Sequence, residues 1–350
     1  MSNKNKRLGF TLAFNLIINW IEVLVLREKI VNLLLNNDLD FISGEEISKK
    51  LGISRTAVWK HINVLKEQGY DIESVNKKGY RLKESPDDVL SKENILHNLN
   101  TKFIGKEIIH FDSLDSTNNY AKTIANKAVN GTVIISEEQL SGRGRLGKQW
   151  HSKKHEGIWM SIILKPDILP MDAPFITLIA GASVVQALSN LGVNSSIKWP
   201  NDIILNGKKI CGILTELSAE IERVNYIVLG MGINVKTVDF TEDILNIATS
   251  IKKEGYDISR VDIVRNILSE FEIKYNEYVN YNNKKATLDV CRKYSAIIGK
   301  EIYAIKNNIK EKVECIDINE SGNLVVKDKN GNEKEVISGE VSIRGEHGYV

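Results

Sequence analysis

The sequence has too few cysteines for a disulfide framework or a cysteine-rich metal cluster. It contains three, Cys211, Cys291 and Cys315, which lie far apart and form no Cys-x-x-Cys pair. An odd number of widely spaced cysteines predicts free thiols, as in a reducing cytosol, and argues against a zinc site. The chain also has only five prolines and a net charge of +2. The whole molecule is therefore not a general polyanion binder, and local charge matters more.

The chain also lacks a recognisable nucleophile and base. None of its six histidines falls in a Ser-His or Cys-His pattern, and neither paired carboxylates nor metal-ligand spacings occur. We therefore expect no metal site formed by the protein alone. The remaining possibility is chemistry that depends on positioning the reactants and neutralising their charge.

What the sequence does have is a glycine-rich loop with two arginines, Gln139–Trp150, between two apolar runs. Its glycines fit the dinucleotide fingerprint, but no apolar helical pattern follows them. The loop does not match the phosphate-binding P-loop motif either, because Gln149 stands at the position where a Ser or Thr would bind magnesium. Arg143 and Arg145 carry planar, permanently charged groups that suit phosphate or carboxylate oxygens. We expect an anionic ligand to order this loop.

Residues 27–83 predict a winged helix-turn-helix that binds DNA. The third helix would enter the major groove, and the hairpin tip would contact the DNA backbone. Between Lys49 and Lys83, nine Lys and Arg stand against three Asp and Glu, an excess that suits phosphate contacts. The predicted elements are three helices and a hairpin: Arg27–Asn37, Glu45–Leu51, Arg55–Gln68, and Ile72–Val75 with Tyr80–Leu82. The predicted DNA contacts are Ser54, Arg55, Thr56, Lys60, His61, Lys77 and Lys78. A small helical domain with a solvated charged face is the alternative.

Two segments flank this domain. Residues 1–26 form an N-terminal extension whose apolar stretch, Leu8–Leu26, follows three basic residues and is interrupted by three polar ones. An extra helix, a start site placed too far upstream and a membrane anchor all remain open for it; no membrane association is expected for the rest of the chain. Residues 84–95 form the predicted linker.

Residues 96–299 predict an α+β domain, because hairpins and helices are interspersed around a mixed, mainly antiparallel sheet. A helix is predicted from the Asp115-Ser-Thr-Asn118 cap to Ala128, and the apolar segment Pro174–Leu191 is predicted as a buried helix. Asn206-Gly207 is the signal of a type I′ hairpin. Residues 300–350 break into five short strands, which is typical of a small SH3-like barrel.

Five motifs stand in order along the central domain. They are Ser116-Thr-Asn118, Gln139 with Gly142-Arg-Gly-Arg-Leu-Gly147 and Trp150, Lys198-Trp-Pro-Asn-Asp202, Lys209-x-x-Gly212-x-Leu214-x-Glu216, and Gly230-x-Gly232-Ile-Asn234. In this order and spacing they resemble the biotin–protein ligases. The winged helix in front makes the chain similar to the bifunctional class, which also represses biotin operons. The resemblance covers residues 27–350 and implies a class II synthetase-like central domain.

The resemblance implies that biotin and ATP, with its Mg²⁺, form biotinyl-5′-AMP, and that biotin then passes to a lysine of a biotin carboxyl carrier protein. It implies a cytoplasmic protein whose adenylate-bound form is a homodimer on operator DNA, with biotinyl-AMP as corepressor. The residues implied to bind biotin are Ser116, Thr117, Asn118, Gln139, Gly142, Arg143, Lys209, Gly230 and Gly232. Those implied to bind ATP or the adenylate are Arg143, Arg145, Trp150, Lys198, Asn201, Asp202 and Asn234. Lys209, Arg143 and Arg145 are the implied catalytic residues.

Three other functions remain open. A ligand-sensing transcription factor with a degenerate enzyme domain would keep the fold without the reaction. A lipoate-type ligase shares the broad fold. A ligase with a vestigial DNA-binding domain would lack the repressor activity.

Overall fold

A computed structural model describes residues 26–27, 29–34, 41–67, 70–84, 88–306, 309–337, 342–345 and 349. Almost all of the N-terminal extension, the end of the first predicted helix and part of the predicted linker lie outside the described residues. The chain divides into two compact units, Met1–Asn94 and Ile95–Val350.

Among the described residues, the first unit contains three helices and a two-stranded hairpin, and a further short helix, α4, spans the boundary between the two units. The elements are α1 (29–34), α2 (Gly44–Leu51), α3 (Arg55–Glu67), β1 (Asp71–Val75), β2 (Gly79–Glu84) and α4 (Lys92–Leu96). The hydroxyl of Ser43 accepts the Glu46 amide at 3.1 Å, and that of Ser54 accepts the Ala57 amide at 3.1 Å. These N-caps start α2 and α3 where the sequence predicted. Gly52, with a φ of 68°, ends α2 in the left-handed region, as glycine at this position commonly does.

The hairpin forms the predicted wing, and a single antiparallel bridge between Ile42 and Tyr80 adds a third short segment to it. Gly79 has a φ of 114°, and a β-carbon there would collide with the Ile42 carbonyl. The winged helix-turn-helix predicted for this part of the chain is therefore confirmed, and the Ile42–Tyr80 bridge brings the segment before α2 against the wing.

The second unit is built on a seven-stranded sheet with the order β3-β4-β5-β9-β8-β7-β6. Only the β3–β4 pair is parallel among the described strands of this sheet, so the prediction of a mixed, mainly antiparallel sheet is confirmed. Its strands are β3 (Ile108–Phe111), β4 (Thr132–Ser136), β5 (Gly157–Leu164), β6 (Ser196–Lys198), β7 (Asp202–Leu205), β8 (Lys208–Ala219) and β9 (Val224–Asn234). Positive φ values of 49° at Asn206 and 79° at Gly207 confirm the type I′ turn between β7 and β8.

Four helices accompany this sheet: α5 (Thr117–Ile124), α6 (Pro174–Asn190), α7 (Arg260–Tyr281) and α8 (Lys285–Lys293). The predicted extent of α5 to Ala128 is wrong, because the helix ends at Ile124 and Lys127 and Ala128 fold back in a turn onto the Ile124 carbonyl. The helical stretch Pro170–Asn190, which contains α6, is long and apolar enough to cross a membrane, but 78% of its most apolar part is buried inside the protein. Helix α6 is a core helix packed on the sheet, as predicted.

The C-terminal part forms a five-stranded sheet with the order β13-β12-β11-β10-β14. Its strands are β10 (Glu301–Lys306), β11 (Ile309–Ile318), β12 (Leu324–Lys327), β13 (Glu333–Val336) and β14 (Ser342–Gly345). All four neighbouring pairs are antiparallel. No pairing of β13 with β14 closes this sheet among the described residues, so the SH3-like barrel stays a prediction. The Trp199 indole, which is buried, donates to the Gly322 carbonyl at 3.0 Å and joins the two sheets.

The three cysteines are buried and unpaired, which confirms the prediction of free thiols. Burial raises the pKa of Cys291 to about 12, so this thiol is protonated at neutral pH and is a poor nucleophile.

Candidate functional site

A cavity of about 580 Å³ lies beside strands β8 and β9, under the arginine-rich loop. Fourteen of the fifteen residues predicted to bind biotin or the adenylate line it: Ser116, Thr117, Asn118, Gln139, Arg143, Arg145, Trp150, Lys198, Asn201, Asp202, Lys209, Gly230, Gly232 and Asn234. Gly142 is not among the residues that line it, and its contact with biotin stays a prediction. A β-carbon at Gly142 would collide with the Trp150 carbonyl and lie 2.9 Å from Ser152 Oγ, so this glycine lets the two ends of the loop approach each other.

One end of the cavity is a connected set of neutral polar groups. The Gln139 side-chain carbonyl accepts the Thr117 amide at 2.9 Å and its hydroxyl at 3.1 Å, and the Gln139 amide group donates to Ser152 Oγ at 2.9 Å. Ser161 Oγ lies 2.7 Å from Thr117 Oγ1 and 2.6 Å from Asn118 Oδ1. Each side chain is thus held in one orientation, which prepares the donors and acceptors for a neutral polar ligand group. The predicted contact Ser116 lines the same end and caps α5 through the Asn119 amide at 3.5 Å.

Sequence reasoning missed Ser161. It lies fully buried on β5, where every other residue of Ile158–Leu164 is apolar or aromatic. The sequence did contain a signal, a single hydroxyl in an otherwise apolar strand. A buried polar group needs hydrogen-bond partners that the strand alone does not supply, so such a serine indicates a contact with another element.

Asn118 connects the polar end to a second, partly exposed group of charges. Its amide nitrogen donates to Glu216 Oε2 at 2.8 Å, and Lys122 Nζ lies 2.8 Å from Glu216 Oε1. Burial opposes ionisation of Glu216, but the hydrogen bonds from Lys122 and Asn118 outweigh it and lower the pKa of this carboxyl. Glu216 is therefore ionised at neutral pH and fixes which way the Asn118 amide points.

At three glycines of β8 and β9, a neighbouring side chain lies directly against the backbone. A β-carbon at Gly232 would lie 2.5 Å from the Trp150 indole nitrogen, and one at Gly212 would lie 2.9 Å from the same ring. Gly230 is covered in the same way by Asn118. The Trp150 ring thus packs directly against the backbone of Gly212 and Gly232. Its buried Nε1 has no hydrogen-bond partner among the described residues, which leaves a donor for a ligand at the floor of the cavity.

The other end of the cavity carries the cations. Arg145 Nη1 donates to Asn201 Oδ1 at 2.6 Å, and Lys209 Nζ lies 2.5 Å from Asp202 Oδ1. Lys198 is buried on β6 and donates to the backbone carbonyl of Tyr349. Arg145 comes from the loop, Lys198 from β6 and Lys209 from β8, so positive charge converges on one end of the cavity from several elements.

The loop is closed on itself by main-chain bonds. Gly144 N donates to Lys148 O at 2.7 Å, and Trp150 N donates to Gly142 O at 2.9 Å. A short 3-10 turn, Arg145–Gly147, forms its tip. The Arg143 side chain is exposed at the cavity mouth. This geometry holds the tip over the cations and leaves Arg143 within reach of a ligand.

A buried ionic network, which the sequence did not reveal, anchors the base of the loop. Arg260 Nη1 lies 2.7 Å from Glu137 Oε2 and 2.9 Å from the Gly157 carbonyl. His155 Nδ1 lies 3.1 Å from the same carboxylate, and His110 Nε2 lies 3.7 Å from its other oxygen. Burial opposes ionisation of Glu137, but the two nearby histidines and the charge of Arg260 outweigh it, and its pKa is strongly lowered. The network joins the residues before and after the loop to the start of α7.

The predicted DNA contacts are largely exposed on the first unit. Ser54, Arg55, Thr56 and Lys60 are exposed along α3, and Lys77 and Lys78 are exposed at the wing tip. His61 is half-buried, and burial and the charge of Arg27 lower its pKa. It is therefore neutral at neutral pH and offers DNA one N–H donor without charge.

No group of three or more possible metal ligands occurs among the described residues. The cavity instead combines a neutral polar end with a cationic end. Such an arrangement holds two reactants together and neutralises negative charge.

The fold and the site define a helix-turn-helix protein joined to a ligase-type domain. Residues 110–234 match the model of the biotin/lipoate A/B protein ligase family, 26–81 match an HTH domain, and 297–344 match the biotin protein ligase C-terminal domain. The bifunctional ligase/repressor BirA of Bacillus subtilis is 39% identical over 91% of this chain and 98% of its own length. BirA of Escherichia coli is 31% identical over 90% of this chain and 96% of its own. The chain belongs to this bifunctional ligase/repressor family.

A solved structure supports the fold of the second unit. The biotin protein ligase of Aquifex aeolicus in complex with biotin and ATP matches with a TM-score of 0.61 and 27% identity. The match covers 69% of this chain and 99% of that protein.

Proposed function

We propose that this chain is a biotin–protein ligase that also represses transcription in response to biotin. It joins biotin and ATP into biotinyl-5′-AMP with release of pyrophosphate. It then transfers biotin to a lysine of a biotin carboxyl carrier protein. The observation that carries the proposal is the two-ended cavity, in which fixed neutral donors and acceptors stand next to converging cations.

The neutral end suits the ureido ring of biotin, which needs both donors and acceptors and carries no charge. Thr117, Gln139 and Asn118 supply them. The bond between Thr117 and Gln139 fixes the orientation of those two, and bonds with Glu216 and Ser161 fix that of Asn118. The carboxylate of biotin then points towards Lys209, whose ammonium stands between the two ends beside the Trp150 ring, 5.2 Å from its centre.

The cationic end suits the phosphates of ATP. Arg143, Arg145 and Lys198 supply the charge, and Asn201, Asp202 and Asn234 line the same region. Mg²⁺ enters with ATP as part of the substrate. Because the described residues offer no cluster of three metal ligands, the phosphates themselves would supply most of its coordination.

In the first step a carboxylate oxygen of biotin attacks the α-phosphorus, a new C–O–P linkage forms, and the bond to the β-phosphate breaks to release pyrophosphate. Lys209 and the arginines lower the barrier by neutralising the two anions that must meet. In the second step the ε-amine of the carrier lysine attacks the acyl carbon, loses a proton, and expels AMP.

For the repressor activity we propose that α3 and the wing bind operator DNA. A homodimer of the adenylate-bound chain would present two such units to the half-sites of a palindrome. The adenylate would favour the dimer by binding it more tightly than the monomer. We also propose a cytoplasmic location, in keeping with its three unpaired, buried cysteines.

The experiment that tests the enzyme is exchange of labelled pyrophosphate into ATP, measured with biotin and, separately, with lipoate. Exchange that depends on biotin supports the proposal. Exchange that depends on lipoate would make the chain a lipoate-type ligase, and no exchange with either would leave a ligand-sensing transcription factor. Operator binding with and without biotin plus ATP tests the repressor, and failure to bind would mark the DNA-binding unit as vestigial.

A further inference from the structure

Tyr349 lies inside the cationic end of the cavity. Its phenol hydroxyl donates to Asp202 Oδ2, and its backbone carbonyl accepts from Lys198 Nζ. The Lys198 ammonium also lies 3.6 Å from the centre of the tyrosine ring. One residue near the end of the sequence, four positions after β14, thus makes three contacts with two side chains of the site.

Both partners are buried and polar, and both belong to the region assigned to the nucleotide. Lys198 is 3% exposed and Asp202 is 9% exposed. A buried ammonium and a buried carboxylate each need hydrogen-bond partners, since an unpaired charge in the protein interior is strongly destabilising. Tyr349 supplies such partners to both groups through its own hydroxyl, carbonyl and ring.

Tyr349 occupies space at this end of the cavity that a nucleotide would need, because it lines the cavity and the centre of its ring lies 3.6 Å from Lys198 Nζ. A phosphate group that approaches this face of Lys198 would meet the tyrosine ring. A group of the nucleotide that approaches Asp202 Oδ2 from the cavity would meet the phenol. Lys209 is bonded to the other oxygen of Asp202, so displacement of Tyr349 does not require that this ion pair break.

We propose that Tyr349 is a built-in competitor of ATP, which occupies the Lys198–Asp202 end of the cavity and leaves when the nucleotide binds. The inference rests on the proposed function of this cavity. When only a fraction of molecules has the site open, the apparent dissociation constant of the nucleotide rises by the inverse of that fraction. Biotin binds at the neutral end, so its affinity is independent of Tyr349.

The test measures the equilibrium affinity of a non-hydrolysable ATP analogue, by calorimetry, for wild type, Tyr349→Ala and Tyr349→Phe. Tyr349→Ala removes the hydroxyl and the ring, and we expect a dissociation constant lower by about threefold to tenfold, which is the size of one hydrogen bond. Tyr349→Phe keeps the ring and the carbonyl, so its dissociation constant for the analogue should lie between those of wild type and Tyr349→Ala. Biotin affinity should not change.

Tyr281→Ala is the matched control, because Tyr281 is 74% exposed at the end of α7 and does not line the cavity. An unchanged affinity of Tyr349→Ala for the analogue would overturn the proposal. A weaker affinity would overturn it too, and would make Tyr349 a residue that binds the nucleotide. Thermal melting of each variant shows whether it is folded. If Tyr349→Ala does not fold, the affinity of Tyr349→Phe for the analogue is the test.

The two proposals fail in different ways. If wild type shows no biotin-dependent pyrophosphate exchange, the proposed enzyme activity is wrong. If wild type is active and Tyr349→Ala does not bind the analogue more tightly, only the competition is wrong.

Discussion

The ammonium of Lys209 lies 2.5 Å from a carboxylate oxygen of Asp202, on the neighbouring strand. The two side chains are 21% and 12% exposed, so the pair is shielded from solvent at the cavity wall. Asp202 accepts from Tyr349 as well. The carboxylate therefore orients the lysine that stands between the neutral and the cationic ends.

Replacing Lys209 by Ala should abolish biotin-dependent pyrophosphate exchange while the protein stays folded. A charge-assisted hydrogen bond contributes about 1.5–3 kcal/mol, so binding of the adenylate should weaken tens- to hundreds-fold. The measurement is the exchange rate together with the circular dichroism of the folded protein. Lys208→Ala is the control, since Lys208 precedes Lys209 on β8 but does not line the cavity. Near-normal exchange in Lys209→Ala would remove Lys209 from the reaction.

Replacing Arg145 by Gly should leave adenylate synthesis in place but let the adenylate escape. The Arg145 guanidinium donates to Asn201 at 2.6 Å and ties the loop tip to the site, so its loss opens the lid. We expect increased biotin labelling of proteins that are not substrates, measured by blotting. Lys154→Ala, which removes a surface ion pair with Asp112, should label like wild type. If labelling by Arg145→Gly does not rise, the loop does not act as a lid.

Replacing Glu137 by Gln should destabilise the protein in a pH-dependent way. The folded-state pKa of Glu137 lies far below its ordinary value of 4.5, so its contribution is fully present above about pH 4.5 and is lost as the pH falls through the folded-state pKa. Removing one partner of a buried ion pair costs about 3–5 kcal/mol. The difference in free energy of unfolding between wild type and variant, measured with urea, should therefore be largest at neutral pH and should shrink in acid.

The adjacent Glu138→Gln provides the comparison for this experiment. Glu138 accepts from Ser113 at 2.9 Å at the exposed surface, so its replacement should change the free energy of unfolding by no more than about 0.5 kcal/mol. If the difference in free energy of unfolding between wild type and Glu137→Gln stays constant from neutral pH into acid, the effect is unrelated to the ionisation of Glu137.

Replacing Lys77 and Lys78 by Ala should weaken DNA binding to every sequence by a similar factor. Both lie at the exposed wing tip, where they would contact phosphates. The slope of log affinity against log salt should fall by about 1 for each lysine lost. Titration of labelled operator and of unrelated DNA at several salt concentrations measures it. Lys50→Ala removes a lysine already paired with Glu46 at 2.9 Å and should change the slope less. An unchanged slope in the wing variant would place the wing away from DNA.

The sequence alone predicted the elements that depend on local preferences. Ser43 and Ser54 cap helices because a hydroxyl satisfies an amide three residues later, and Asn206-Gly207 turns a hairpin because both residues tolerate a positive φ. The motif order was enough to indicate the family, and nearly all of the residues predicted from it line the cavity, since each motif is short and its spacing is visible along the chain.

Tertiary structure alone decided how distant segments meet. The Glu137–Arg260 pair joins residues 123 apart in sequence, and the Tyr349–Asp202 contact joins residues 147 apart. Trp150 covers Gly232 only because the loop folds back over β9. No local pattern encodes such contacts, since each depends on the packing of whole strands and helices that brings the two residues together.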